Sequence, residues 1–107
     1  MSKYTINKDL TILDALVQIE GNHHRSLIVV NESNKVVGSL SDGDIRRALI
    51  NGMVLPSTIT KIMNLDYLFV NEGVEDSKIK SILSDPDVFL LPCINSERKL
   101  IDLHVKR

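Results

Sequence analysis

The chain has no tryptophan, two tyrosines and two phenylalanines. Too few rings are present for a platform on which single-stranded bases could stack. It has one cysteine, Cys93. An internal disulfide and a thiolate metal cluster are therefore excluded, and a reducing, cytoplasmic setting is expected. There is no excess of either charge: 13 Lys and Arg stand against 14 Asp and Glu. That removes the electrostatic case for nucleic acid or an anionic membrane surface. No apolar run approaches the roughly 20 residues that a membrane span needs, and Met1-Ser-Lys-Tyr-Thr5 holds no signal-peptide core.

What remains is 107 residues, 43% hydrophobic and 25% charged, the profile of one compact globular unit. The most informative stretch is Gly38-Ser-Leu-Ser-Asp-Gly-Asp-Ile-Arg-Arg-Ala-Leu49. An apolar strand runs into Ser41-Asp-Gly-Asp44, and a helix starts at once. Ser41-x-x-Asp44 has the form of a capping box, in which the hydroxyl accepts from the third helical amide. The same turn puts a hydroxyl, a carboxylate and helix N-terminal amides at one edge, where the ribose and phosphate of a nucleotide could sit. Both roles remain open.

A shift of 64 positions aligns the chain with itself without a gap. Asn7 meets Asn71, Leu27 meets Leu91, Asn31 meets Asn95 and Lys35 meets Lys99. Ile6 pairs with Val70, Ile19 with Leu83, Val30 with Ile94 and Val36 with Leu100 in the same frame. Each copy opens on an extended segment, Tyr4–Ile6 or Tyr67–Val70. An amphipathic helix follows. In copy one Thr11 caps it, Ile12, Ala15, Leu16 and Ile19 share its apolar face, and Gly21-Asn22 ends it. In copy two Ile79, Ile82 and Leu83 form the face and Asp85-Pro86 ends it. Apolar strands are expected over Ser26–Val30 and Val88–Ile94. The polar turns 31–34 and 95–98 lead to return strands, Val36–Leu40 and Leu100–Leu103. Copy one adds a helix from Asp42 to Asn51, whereas copy two stops before its counterpart. The expected layout is a first repeat at 1–52, a linker at 53–64 containing Pro56 and a short turn at Thr60–Met63, and a truncated second repeat at 65–107. Such a truncation is expected of a segment of a longer protein.

This α+β plan of tandem β-α-β-β-α repeats, the second lacking its last helix, resembles a pair of CBS domains. The string Val36 to Arg47 carries the resemblance, with the linker pattern Pro56 to Ile62-Met63. The Asp-Gly-Asp-Ile-Arg-Arg form and the ending Ile101-Asp-Leu-His104 are similar to the N-terminal segment of CBS-bearing sugar-phosphate nucleotidyltransferases. The resemblance implies a regulatory, non-catalytic module that senses an adenine nucleotide (AMP, ADP or ATP), forms a homodimer and controls an attached catalytic domain. Ser41 would lie near the phosphate, and Asp44 would accept from the ribose hydroxyls. Ile6, Leu27 and Ile28 would form the adenine slot. Asp42, Gly43, Arg46 and Arg47 would complete the surroundings, either arginine as a phosphate clamp or simply an ion-pair partner of Asp42 or Asp44. In copy two Val105 stands where Ser41 does, so one site per chain is expected. The competing role is a dimerisation module without a ligand.

Other features point to structure. Asp85 and Asp87 read as turn residues, His23-His24-Arg25 as a solvated loop with a phosphate contact from His24 or Arg25 as the lesser alternative, and Cys93 as a buried small hydrophobe. No nucleophile–base pair, metal-ligand spacing or P-loop ending is found. Neither catalysis nor a required cofactor is expected.

Overall fold

The computed structural model describes residues 3–106, so the outer bounds of the two repeats, 1 and 107, lie outside the described residues. The element order is β1 (Thr5–Asn7), α1 (Ile12–Asn22), β2 (Ser26–Val30), β3 (Val36–Ser41), α2 (Asp42–Ile50), a 3-10 turn (Ile59–Lys61), β4 (Val70–Asn71), α3 (Asp76–Leu83), β5 (Leu90–Ile94) and β6 (Leu100–Val105). Two three-stranded sheets form, ordered β1-β2-β3 and β4-β5-β6. In each the first pair is parallel and the second antiparallel.

The 64-residue shift is a structural relation as well as a sequence one. Ile6 pairs with Val29 as Val70 pairs with Cys93, and the register slips at Val29/Val30 and again at Cys93/Ile94. Asn31 Oδ1 accepts from the amides of Ser33 and Lys35, and Asn95 Oδ1 from those of Glu97 and Lys99. The two turns then bond each other reciprocally: Val36 N–H donates to Arg98 O at 2.9 Å and Leu100 N–H to Asn34 O at 3.0 Å.

Alternation along the strands divides the core. Leu27 and Val29 face α1 and α2, packing with Ile6, Ile12, Ala15, Leu40 and Ile45. Ile28 and Val30 face the other sheet, where they meet Leu90 and Ile94. The continuous apolar runs therefore reflect sheets covered on both faces. Ile59, fully buried, ties the linker into the first core. The second repeat's own core is smaller, Val70, Leu91 and Cys93 under α3.

Several expected boundaries are corrected. α1 runs through Gly21 and Asn22 and stops at His23, whose φ of 61° takes the left-handed position usually left to glycine. Buried Asn22 allows this, because its amide donates to Lys3 O and Ser26 O while its Oδ1 accepts from His24 N–H. β5 begins at Leu90 rather than Val88, because Asp85 holds the amides of Asp87 and Val88 in a turn. Only Val70–Asn71 of the extended stretch after Tyr67 pairs as strand, and β1 is shifted one residue from its expected position. His24 is not solvated: it is half-buried, edge-on to Tyr4, with its ring nitrogens 2.8 Å from Asn22 O and 2.9 Å from Lys106 O.

Candidate functional site

β3 delivers Ser41 in extended conformation (φ −108°, ψ 164°) to the start of α2. Ser41 Oγ accepts from Asp44 N–H at 3.1 Å, and Asp44 Oδ2 accepts from Ser41 N–H at 2.9 Å. The capping box is thus complete. Asp44 Oδ1 also takes a hydrogen bond and ion pair from Arg47 at 2.9 Å. The amide of Asp42 donates to Arg25 O. Two of the first three amides of α2 are therefore already engaged.

Beside this turn lies a cleft of about 290 Å³ between the two repeats. Its apolar wall is Leu27, Ile28, Leu40, Val88 and Leu90, with Leu68 at the lip. Its polar rim holds Ser41, Asp42, Asp44, Asn64, Asp66, Asp87 and Arg25. Among the described residues Asp42, Asp66 and Asp87 make no ion pair. The cleft is acidic: four carboxylates face one guanidinium.

Of the sequence-predicted site residues, Ser41, Asp44, Asp42, Leu27 and Ile28 meet in this cleft. Ile6 does not line it; it is 1% exposed and packed in the first core. Gly43 is buried on α2, where a Cβ would lie 3.2 Å from the Arg47 guanidinium. Arg46 and Arg47 are exposed outside the lining.

Sequence reasoning gave Arg25 a phosphate contact only as a lesser alternative to a loop, and it missed Asn64, Asp66 and the wall from Asp87 to Leu90, because it sought the site inside one repeat. The signal was present in the 64-residue shift: Ser26 and Leu90 are counterparts, and the sheet-to-sheet contact of Ile28 with Leu90 brings them face to face. The linker enters through Asn64, whose backbone exchanges two hydrogen bonds with Ser39. A Cβ on Gly38 would meet Met63 Sδ at 2.9 Å and Asn64 O at 3.1 Å, so glycine is needed there for the linker to approach.

The counterpart cleft is lined by Tyr4, His24, Leu103, His104, Val105 and Lys106. At matched positions Lys106 replaces Asp42, Leu103 replaces Ser39 and Val105 replaces Ser41. The fold thus accepts either charge at this edge. Cys93 lies in the second core, where burial, followed by the nearby Asp102 and Glu72 carboxylates, pushes its thiol up. No cluster of three metal-ligating side chains occurs among the described residues, and no helix among them is long and apolar enough to cross a membrane.

A family model described as CBS domain matches residues 1–51. An uncharacterised protein of Helicobacter pylori is 36% identical over 98 residues, a match covering 82% of this chain and 27% of that protein. The chain thus spans about a quarter of that relative's length. The CBS domains of a transcriptional regulator from Streptococcus pneumoniae superpose with a TM-score of 0.79 at 20% identity, covering 98% of this chain and 85% of that one. The cytosolic domain of the Mg2+ channel MgtE, solved in complex with ATP, gives a TM-score of 0.74 at 18% identity, covering 96% and 42%. At these identities the two structures share a fold with this chain.

Proposed function

From a chain that carries a CBS domain in residues 1–51 and folds as a CBS pair, we propose a regulatory module that binds an adenine nucleotide in the inter-repeat cleft. The observation that supports it most is the meeting of an apolar wall, Leu27, Ile28 and Leu90, with Ser41 and Asp44 in one cavity. A base would lie on the wall, ribose hydroxyls would donate to the free lone pairs of Asp44, and a phosphate would lie toward Ser41 and Arg25. Ile6 would support the wall from behind rather than touch the base. Gly43 and Arg47 would shape the turn, with Arg46 beside it. The cytosolic domain of MgtE, which shares this fold over part of its length, was solved in complex with ATP, and that supports the reading. The module is non-catalytic and acts on an attached enzyme, which we take to be a cytoplasmic nucleotidyltransferase. The much greater length of the Helicobacter relative leaves room for such a domain. To regulate it, the ligand must bind two arrangements of the module unequally.

The completed capping box favours a second reading, a dimerisation module without a ligand. Melting with and without AMP separates the two. At 100 times its dissociation constant a ligand adds about 2.7 kcal/mol, which moves the midpoint of a chain this size by about 10 °C. That shift is expected with an adenine nucleotide. No shift with adenosine, AMP, ADP or ATP at millimolar concentration leaves only the second reading.

A further inference from the structure

We propose that the cleft accepts adenosine or its monophosphate and discriminates by charge against the di- and triphosphate, an inference that rests on the nucleotide reading above. A ligand seated there faces Asp42, Asp44, Asp66 and Asp87, and only Arg25 among the lining residues is cationic. The Arg47 guanidinium is committed to Asp44, and Arg46 lies outside the lining. A helix N-terminus ordinarily attracts anions. Here Asp42 and Asp44 already occupy that position, and the amides of both are engaged. One phosphate can be matched by Arg25; each further phosphate adds negative charge with no unmatched cation among the lining residues.

Two other observations agree. A volume of about 290 Å³ lies at the small end of ligand pockets. The acidity is also not imposed by the fold, since the counterpart cleft carries Lys106 where this one has Asp42 and includes His24 and His104. The three unpaired carboxylates thus act on the ligand rather than on a neighbouring cation. Asp66 and Asp87 are exposed, so their effect passes through water and is screened by salt. A like charge brought close to a carboxylate near a protein surface weakens binding on the order of tenfold.

The test is calorimetric titration with adenosine, AMP, ADP and ATP, in EDTA so that no divalent cation neutralises the phosphates. Titrations are made at roughly 0.01 M and roughly 1 M salt, where the screening lengths are about 30 Å and 3 Å. At low salt ATP is expected to bind about tenfold or more weaker than AMP, with ADP between them. The gap closes at high salt, and it narrows at low salt in the Asp66→Asn/Asp87→Asn variant. ATP binding as tightly as AMP at low salt overturns the inference while leaving the nucleotide reading intact. A gap that survives high salt also overturns it, because steric exclusion does not respond to ions. Binding of none of the four overturns both.

Discussion

Ser41 and Asp44 show how one pair of side chains serves two ends. Their reciprocal hydrogen bonds close the first turn of α2, a role needing no ligand. Thr11 and Asp14 make the same box on α1, with Asp14 N–H donating to Thr11 Oγ1 at 3.2 Å and Thr11 N–H to Asp14 Oδ2 at 2.9 Å. That second box lies outside the cleft and is a built-in control. Bonds from the Thr11 backbone and then its hydroxyl hold the Asp14 carboxyl below the ordinary carboxylate range. Its stabilisation is therefore present above the unfolded-state pKa and lost as pH falls through the lowered folded one. Asp14→Ala and Asp44→Ala each open one side of a capping box and are both expected to lower stability at neutral pH. Only Asp44→Ala is expected to abolish AMP binding. Denaturant melts and AMP titrations of both variants decide it, and equal retention of binding by the two would make Asp44 a cap and nothing more.

Elements whose cause is local were readable in the sequence. The start of α2 follows from Ser41-x-x-Asp44, and the turn at 31–34 from an asparagine that caps its own loop. The matching register slips of β2 and β5 fall at positions 64 residues apart, in the same frame as the repeat. Elements whose cause is tertiary were not readable. α1 passes Gly21 because Asn22 finds buried partners on Lys3 and Ser26, and His24 is drawn inward by Lys106, 82 residues away. The cleft was half readable for the same reason. Its Ser41 side is a local motif, while its Asp87–Leu90 wall comes from a turn that only the packing of sheet on sheet places opposite Leu27 and Ile28.

At the scale of the whole molecule, the two repeats differ on the outer face of their first helices. Leu13 and Val17 on α1 are 49% and 67% exposed, and Ile50 and Val54 just beyond them are 77% and 59% exposed. The counterparts of Leu13 and Val17 on α3 are Ser77 and Ser81. A helix face that is apolar on α1 and serine-bearing on α3 suits a two-fold contact of the first repeat with the same repeat of a second copy. α1 carries Asp14 and Glu20 without a basic residue, whereas α2 exposes Arg46, so opposed faces are complementary in charge as well. We propose that the homodimer forms there. A Leu13→Asp/Val17→Asp variant is expected to sediment as a monomer with its fold intact. A wild-type chain that is already monomeric at high micromolar concentration contradicts the proposal. The claim on which the rest depends is the seat of the ligand between the repeats, and amide chemical shifts on titration with AMP test it most directly. Saturable shifts are expected on both walls together, at Ser39–Asp44 and at Asp87–Leu90, with the His104–Lys106 edge unmoved. Shifts confined to that opposite edge, or none at all, would contradict it.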